Sequence, residues 1–289
     1  MLFQSCSKIF DWLRNMAAWG LGRFRVWPSS FCKTLKMFMS ETIKARPLIF
    51  SMHVPLVALN QDSENYLYLY SNKGDLFWKK KLSSQIVGEI QQVDLYKNGR
   101  LQMAFRTIDK FYIIDRNGST VQPFEISIKD SNNINRLSIF DYENDKNYRF
   151  LISQDNYMKM YDSKGRTVTG FNPDSLNSDI INSPVHIRIK GKDYILVQLN
   201  NGKLKILNRR GKDRISVKQN INFSENNFFS FMNLFTTTDK NGNLIQVDTN
   251  GNVVKNNYSL GENNTIEVVM DNILFQSENT ISINGKTIK

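Results

Sequence analysis

Two groups of carboxylate and amide side chains come nearest, by residue type and spacing, to a metal site. They are Asp94, Asn98 and Gly99, and then Asp141, Asn144 and Asp145. A calcium loop needs five or more oxygen ligands at alternating positions. Leu95, Lys97 and Lys146 interrupt that alternation with apolar or cationic side chains. The sequence therefore predicts ordinary turns at these positions, and no metal-binding residue is assigned.

The two histidines are the other candidates for chemistry. His53 and His186 lie in different repeats without a neighbouring cluster of ligands, and isolated histidines in strands are usually packed or surface residues. The sequence has no Gly-x-Ser-x-Gly elbow, P-loop or GxGxxG fingerprint. It also lacks the clustered carboxylates of a ribonuclease-H-like nuclease. No catalytic residue, no cofactor-binding residue and no cofactor is assigned, and a protein that is not an enzyme is favoured.

The positive charge is concentrated near the N-terminus. Residues 1–50 carry +6 of the formal net charge of +11, which leaves +5 for all later residues. A basic surplus is typical of proteins that bind phosphate groups, but the later residues are only mildly basic, which argues against nucleic acid as a partner. Cys6 and Cys32 also lie in the N-terminal segment, so the body has no cysteine for a disulfide or a metal site.

No segment has the length and composition of a membrane-spanning helix. The most apolar run, Pro47 to Leu59, has about 13 residues and two prolines, whereas a span needs ~20. The chain does not open with a signal peptide, because Asp11, Arg14 and Asn15 interrupt the apolar stretch that such a peptide requires.

The elements that position these residues are predicted from a repeat. Two or more apolar residues are followed by Asp, Asn or Ser, two variable residues and a glycine. The glycines are Gly74, Gly118, Gly165, Gly211 and Gly251, which are 44, 47, 46 and 40 residues apart. A weaker sixth copy covers Ile281 to Gly285. Each copy predicts a strand, a turn that needs positive φ at the glycine, and a second strand such as Asp75 to Trp78 or Arg166 to Phe171.

Two further strands fit between successive copies. The ranges are 90–96 and 100–106, then 135–141 and 148–153, then 186–190 and 194–199. Four short antiparallel strands every ~45 residues are typical of a β-propeller blade. The predicted fold class is therefore all-β, a β-propeller with about five recognisable four-stranded blades and a partial sixth. A β-sandwich or another all-β solenoid is the alternative.

The segment Leu69 to Trp78 resembles the pyrroloquinoline-quinone-like (PQQ-like) repeat, in which a turn glycine is followed four residues later by a docking tryptophan. Only Trp78 keeps that tryptophan, while Phe124 and Phe171 stand six residues after their glycines. Quinone-dependent enzymes of this kind use a complete eight-bladed ring with regular docking tryptophans and calcium ligands. The resemblance therefore implies the fold and not a bound quinone.

Residues 88–105, 147–150 and 235–248 are similar to the C-terminal propeller of a family of large, uncharacterised Gram-negative envelope proteins. The similarity covers roughly residues 54–289 and implies a location in the periplasm or cell envelope, with no catalytic residues to transfer. It also implies further blades after residue 289 and a membrane-anchored domain before residue 54, so a truncated chain is expected. An open arc of blades is favoured over a closed ring of six.

Residues 1–50 are predicted to be a basic segment separate from the propeller repeats at 51–289. Lys8 to Phe24 has apolar residues at helical spacing. The segment is interpreted as a non-native leader, as a packing or capping segment, or as a helix that contacts a membrane surface through residues 8–24. The leader is favoured, because Gly20 and Gly22 weaken the helix and Pro28 ends it.

The leading functional hypothesis is a propeller scaffold that binds protein partners, because blades present loops and function resides in such loops. Tyr66, Tyr68 and Tyr70 are candidate contact residues, and strand alternation predicts that half of such aromatic residues belong to the core. The alternative is a truncated product with no independent function. An enzyme, quinone-dependent or a hydrolase, is the third hypothesis.

Overall fold

The computed structural model describes residues 48–49, 58–71, 74–256, 264–269, 272–277, 280–284 and 286–288. Every regular element in these ranges is a β-strand. Within the same ranges there is accordingly no helix that could cross a membrane. The predicted helix at 8–24, both cysteines and His53 lie outside the described residues.

In the described ranges, twenty-three strands form six antiparallel sheets, and within each sheet every strand pairs with the next one along the chain. Sheet 1 contains β1 (Leu48–Ile49), β2 (Ala58–Gln61), β3 (Tyr66–Tyr70) and β4 (Leu76–Lys81), and sheet 2 contains β5 (Ile86–Val93), β6 (Gln102–Thr107), β7 (Lys110–Ile114) and β8 (Thr120–Ser127). Sheet 3 contains β9 (Ser138–Phe140), β10 (Arg149–Gln154) and β11 (Tyr157–Asp162). Sheet 4 contains β12 (Val185–Ile189), β13 (Lys192–Gln198), β14 (Leu204–Leu207) and β15 (Asp213–Ser216). Sheet 5 contains β16 (Phe229–Phe231), β17 (Leu234–Thr238), β18 (Leu244–Val247) and β19 (Val253–Asn256), and sheet 6 contains β20 (Asn264–Val269), β21 (Asn272–Ser277), β22 (Thr280–Ile283) and β23 (Lys286–Ile288).

Four of the five hairpins predicted from the repeat are present as paired strands, and all five turn glycines have a positive φ. The φ values of Gly74, Gly118, Gly165, Gly211 and Gly251 lie between 76° and 89°. Asp115 illustrates the turn chemistry, because its carboxylate accepts hydrogen bonds from the backbone N–H groups of Asn117 at 2.8 Å and Ser119 at 3.0 Å. The predicted partner strand at Asp75 to Trp78 is largely β4, and the weak sixth copy falls in β22.

The prediction of a fourth strand at Arg166 to Phe171 is wrong. Only a single bridge, Tyr161 to Thr167, continues sheet 3 beyond β11. The N–H of Phe171 donates to the carbonyl of Val168 at 3.0 Å, which turns the chain away from the sheet. Phe171 is then buried in the core between sheets 3 and 4. The ring of Phe171 therefore packs between the two sheets, and the predicted fourth strand does not form.

The strands between the repeats are present with shifted bounds. The range predicted at 90–96 is β5, which begins earlier, at Ile86, and ends at Val93. The range predicted at 135–141 contains only the short β9. The others differ by one to two residues at their ends. β1 precedes residue 51 and pairs with β2. The division of the chain into a basic segment at 1–50 and propeller repeats at 51–289 stays a prediction.

Trp78 docks on the turn of the next sheet, as its resemblance to the PQQ-like repeat implied. The indole N–H donates to the carbonyl of Arg116 at 2.8 Å. The ring lies so close to Gly118 that a Cβ there would be 2.8 Å from Trp78 Cδ2. Gly118 therefore serves two purposes, because it allows the positive φ of the turn and admits the indole.

Other residues occupy the same place in the later sheets. A Cβ at Gly165 would lie 2.7 Å from Pro123 of β8, and a Cβ at Gly211 would lie 2.8 Å from Pro173. A Cβ at Gly251 would lie 2.3 Å from the carbonyl oxygen of Ser216. Each turn thus receives the chain that leaves the preceding sheet, so the hairpin repeat also determines how the sheets stack.

The hydrophobic core is divided into clusters that each join two successive sheets. Leu59 and Leu67 of sheet 1 pack with Phe105 and Tyr112 of sheet 2, and similar clusters join sheets 2 to 3, 3 to 4, 4 to 5 and 5 to 6. A central sheet of the stack therefore buries both faces. Burial of this apolar area is the main stabilising contribution to the stack.

Polar side chains also join the sheets, at the end of the second strand. Arg106 of β6 is completely buried. Its guanidinium donates to the carbonyl of Asn135, which precedes β9, at 3.1 Å and to the carbonyl of Ser153 in β10 at 3.3 Å. Gln61 of β2 and Gln198 of β13 make corresponding bonds to backbone carbonyls of the chain that leads to the next sheet. These ties satisfy backbone groups that would otherwise be buried without partners.

Candidate interaction surfaces

The three candidate tyrosines form one continuous surface on sheet 1. The ring centroids of Tyr66 and Tyr68 are 6.3 Å apart, and those of Tyr68 and Tyr70 are 6.0 Å apart. The side-chain nitrogens of Lys79 and Lys81 on β4 lie 5.4 Å and 4.4 Å from the centroid of the Tyr66 ring. These five residues are called the tyrosine face.

Strand alternation explains why all three rings share that face. Leu67 and Leu69 point the other way and are buried against sheet 2. The tyrosines are each half-buried, so the expectation that half of them belong to the core is wrong. Leu76 lies opposite Tyr70 in the register and is 49% exposed, and the adjoining Phe77 is 56% exposed. An apolar rim therefore borders the rings at one end.

A hydrogen bond fixes the central ring of the tyrosine face. The hydroxyl of Tyr68 donates to Oδ2 of Asp62 at 2.8 Å. This bond is the main reason that the pKa of Tyr68 is raised to about 12, with burial as the next cause. The hydroxyl is consequently protonated at neutral pH, and the ring keeps a defined orientation without a partner.

The first group of candidate metal ligands forms a turn. The carboxylate of Asp94 accepts hydrogen bonds from the backbone N–H groups of Asn98 and Gly99, both at 3.0 Å, and from the ammonium group of Lys146. Burial opposes ionisation of Asp94, but these hydrogen bonds outweigh it and hold its pKa below the ordinary value. Both oxygens are thus engaged by N–H donors.

The second group is a turn of the same kind in sheet 3. Asp141 accepts from the backbone N–H groups of Asp145 at 3.0 Å and Lys146 at 3.2 Å. Asn144 has a φ of 55°, which places it in the left-handed region that turn asparagines tolerate. Lys146 then reaches from this turn to Asp94 in the other turn. In the described ranges no three metal-ligating side chains converge.

His186 belongs to a charged cluster between sheets 3 and 4 that the sequence analysis missed. Its Nε2 lies 2.8 Å from Oδ1 of Asp193. Arg188 and Arg209 both pair with Glu143 from the β9–β10 turn, and Arg209 also pairs with Asp193. Only the period-two spacing of His186 and Arg188 on one strand could have signalled such a cluster. Its partners come from separate parts of the chain.

The surroundings of His186 are those of a packed residue. The ring of Tyr142 lies edge-on to the imidazole at 4.8 Å, and Phe140 lies 5.8 Å away. Burial lowers the pKa of His186 below its ordinary value, although the hydrogen bond to Asp193 opposes that shift. The guanidinium of Arg209 stacks over the ring of Tyr142, with its central carbon 4.6 Å from the ring centroid. The cluster therefore fastens sheet 3 to sheet 4.

Two cavities adjoin the third and fourth sheets. One, of about 350 Å³, lies between β11 and the segment at residues 167–176, and is called the edge groove. The other, of about 410 Å³, lies between sheets 4 and 5, and its lining includes Asn200, Asn220, Ile221, Asn222 and Lys240.

Comparison with known proteins gives the fold but no family. No family profile matches the chain, and no curated protein matches it in sequence. BamB from Moraxella catarrhalis is 15% identical with a TM-score of 0.55 over 81% of this chain and 72% of that chain. BBS1N, solved in complex with ARL6DN, is 12% identical with a TM-score of 0.54 over 82% and 77%. The dihydro-heme d1 dehydrogenase NirN, in complex with DHE, is 14% identical with a TM-score of 0.54 over 86% and 56%.

At these identities the likeness concerns the fold alone. BamB and NirN are β-propeller proteins. Together with the successive up-and-down sheets, these matches confirm the predicted all-β propeller. The six sheets are hereafter called blades 1 to 6.

Proposed function

We propose that this chain is a β-propeller scaffold that binds protein partners, catalyses no reaction and belongs to a bacterial cell envelope. The observation that carries the proposal is the tyrosine face of blade 1. The envelope location rests on the similarity of residues 88–105, 147–150 and 235–248 to a family of envelope proteins. A propeller of the same fold, BBS1N, has been crystallised with a protein partner, ARL6DN.

The tyrosine face has the properties of a protein-binding surface. Tyrosine is enriched among the residues that dominate binding energy, because its ring supplies a large contact area and its hydroxyl a polar group. The rings stand on β3, which is paired on both sides by β2 and β4, so little conformational entropy is lost on binding. Lys79 and Lys81 add two cations. These features favour a partner with an acidic surface.

The non-catalytic part of the proposal is supported by the contacts of the titratable residues. Asp94 and Asp141 are engaged by turn N–H groups, and His186 is packed between blades with Asp193. Groups held in this way are occupied by structural bonds and are poorly placed to transfer protons to a substrate.

A capture experiment tests the proposed function. The full chain is immobilised, incubated with bacterial envelope extract, and the retained proteins are quantified by mass spectrometry. Tyr70→Ala and Lys79→Glu are each expected to lower the retention of the principal partner about tenfold or more, since a contact residue of this type contributes ~1.4 kcal/mol or more. Tyr96→Ala is the matched control, because Tyr96 is 58% exposed and lies on blade 2.

Two results would contradict the proposal. One is that no protein is retained above the background of an unrelated propeller. The other is that the Tyr70, Lys79 and Tyr96 variants all retain the same partner equally, which would remove the tyrosine face from the interface.

A further inference from the structure

The third strand of blade 3 is an incompletely covered sheet edge. In blades 1, 2, 4, 5 and 6 a fourth strand pairs with the third, whereas blade 3 ends at β11. Residues 166–168 begin such a strand, because Asp162 donates its N–H to the carbonyl of Arg166 and Val168 donates to the carbonyl of Met160, both at 2.9 Å. The chain then turns away. The N-terminal half of β11 therefore pairs with β10 on one side and with no strand on the other side.

The backbone of Met158 faces this uncovered edge. Backbone groups on an edge strand alternate between the paired and the free side. Met160 and Asp162 bond outward, so Met158, two and four residues before them, is directed outward as well. Among the described residues, neither its N–H nor its C=O has a hydrogen-bond partner in the protein. A free donor and acceptor at this spacing match the backbone of an added strand.

The edge groove provides a preformed site in which an added strand could lie. Its floor is formed by Met158, Met160, Phe171 and Leu176, whose side chains are packed in the core between blades 3 and 4. The segment at 171–176 forms the opposite wall and is anchored at both ends. Asn156 Nδ2 donates to the carbonyl of Leu176 at 3.1 Å, and the N–H of Asn172 donates to the carbonyl of Arg210 at 2.9 Å. Anchored walls reduce the conformational entropy that is lost when a segment binds.

The charge at the groove favours an acidic segment. Lys159 lines the groove, with its ammonium group 5.2 Å from the centroid of the Tyr161 ring. Among the described residues no carboxylate forms an ion pair with Lys159, whereas Asp174, which also lines the groove, is paired with Lys212. A second copy of this chain paired through β11 would bring two Lys159 side chains onto the same face, and like charges so placed are destabilising. The occupant that fits is an extended segment carrying an acidic residue.

We propose that the edge groove binds an extended acidic segment of a partner protein, which adds to blade 3 as its fourth strand. The backbone of the segment bonds to Met158, one apolar side chain lies over the floor of the edge groove, and an acidic side chain pairs with Lys159. The proposal rests on the proposed function, since it gives the protein-binding scaffold a second contact site remote from the tyrosine face.

A peptide selection tests the groove. Twelve-residue peptides are selected from a random phage-display library on the full chain, synthesised with a fluorescent label and titrated by anisotropy. The selected peptides are expected to alternate apolar and acidic residues. Met158→Pro is expected to weaken binding about tenfold or more, because it removes the outward N–H while the pairing of β11 with β10 is retained. Met158→Leu, which keeps that N–H, is expected to change the affinity less than about twofold.

A second variant keeps the test valid if the proline variant fails to fold. Lys159→Glu is expected to weaken the acidic peptides about tenfold at low salt and to strengthen variants in which lysine replaces the acidic residue. The proposal is overturned if no peptide is enriched, or if the selected peptides bind Met158→Pro and Lys159→Glu as tightly as the parent chain. Loss of peptide binding only in Tyr70→Ala would also overturn it, while leaving the proposed function intact.

Discussion

At the scale of single residues, the buried polar groups of this protein hold strands together. Arg106 is the clearest case, because it is completely buried and its hydrogen-bond partners are neutral oxygen atoms. Burial lowers its pKa to about 10, so the guanidinium is still charged at neutral pH. The charge is stabilised by carbonyls of Asn135 and Ser153 and by the side chain of Gln154. These bonds tie blade 2 to blade 3.

Arg106→Met is expected to lower the free energy of unfolding by about 3 kcal/mol, because the buried oxygens that the guanidinium satisfies lose their donor. Urea denaturation followed by tryptophan fluorescence measures the change. Arg100→Met is the control, since Arg100 is exposed on a turn of the same blade, and is expected to cost less than ~0.5 kcal/mol. Equal midpoints for the two variants would contradict the role assigned to Arg106.

The contrast between Asp94 and Arg106 shows how far single residues could be predicted. Asp94 bonds to residues four and five positions away, and the turn it forms was predicted from those neighbours. Arg106 bonds to residues 29 and 48 positions away. Neither its burial nor the cluster around His186 has a local signal, because their partners are brought together only by the stacking of blades.

At the scale of strands and hairpins, one short motif serves two functions. The turn glycine closes the hairpin within its own blade, and the same residue receives the chain that leaves the preceding blade. The hairpin was predicted because all of its residues are adjacent in sequence. The fourth strand of blade 3 was predicted wrongly because Phe171, which continues an apolar pattern, packs between blades 3 and 4 instead of in a strand.

Gly118→Ala is expected to destabilise the protein by about 3 kcal/mol, whereas Gly99→Ala is expected to cost about 1 kcal/mol. Both glycines have a positive φ, 84° and 77°, so the backbone strain is similar. A Cβ at Gly118 would meet the Trp78 ring, while a Cβ at Gly99 would meet nothing within 4 Å. Thermal unfolding of the two variants measures the difference. Equal melting temperatures would show that the docking of Trp78 adds no constraint at Gly118.

At the scale of the whole molecule, the first strands of successive blades lie beside one another, from β9 through β12 and β16 to β20. Glu267 on β20 of blade 6 is influenced electrostatically by Glu89 on β5 of blade 2. Glu89 is itself paired with Arg136, just before β9, at 3.2 Å. Burial, and then the charge of Glu89, raise the pKa of Glu267 to about 7. The open arc of blades that the sequence favoured stays a prediction.

This shift gives the stability of the protein a definite pH dependence. Because the pKa of Glu267 in the folded state exceeds the ordinary 4.5, the folded chain binds more protons than the unfolded chain between about pH 4.5 and 7. The contribution of Glu267 to the free energy of unfolding therefore falls as the pH rises through that interval. Glu267→Gln is expected to raise the melting temperature at pH 8 and to leave it nearly unchanged at pH 4.5.

Thermal melts from pH 4.5 to 8 measure this dependence. Glu225→Gln, at an exposed position on the approach to blade 5, is the control and is expected to leave the pH profile of the parent chain unchanged. A Glu267→Gln profile parallel to that of the parent chain over the whole interval would contradict the assignment.

The amino-acid sequence by itself determined the strands, the glycine turns and their repetition, and from these the propeller fold. Those features depend on residues within one hairpin, whose alternation and turn chemistry are readable in order along the chain. Only the tertiary structure decided that the face shared by Tyr66, Tyr68 and Tyr70 is half-exposed, that Arg106 is buried, and that β11 has an uncovered edge. Burial and edge exposure depend on what a neighbouring blade supplies, and that neighbour lies some forty residues away in the chain.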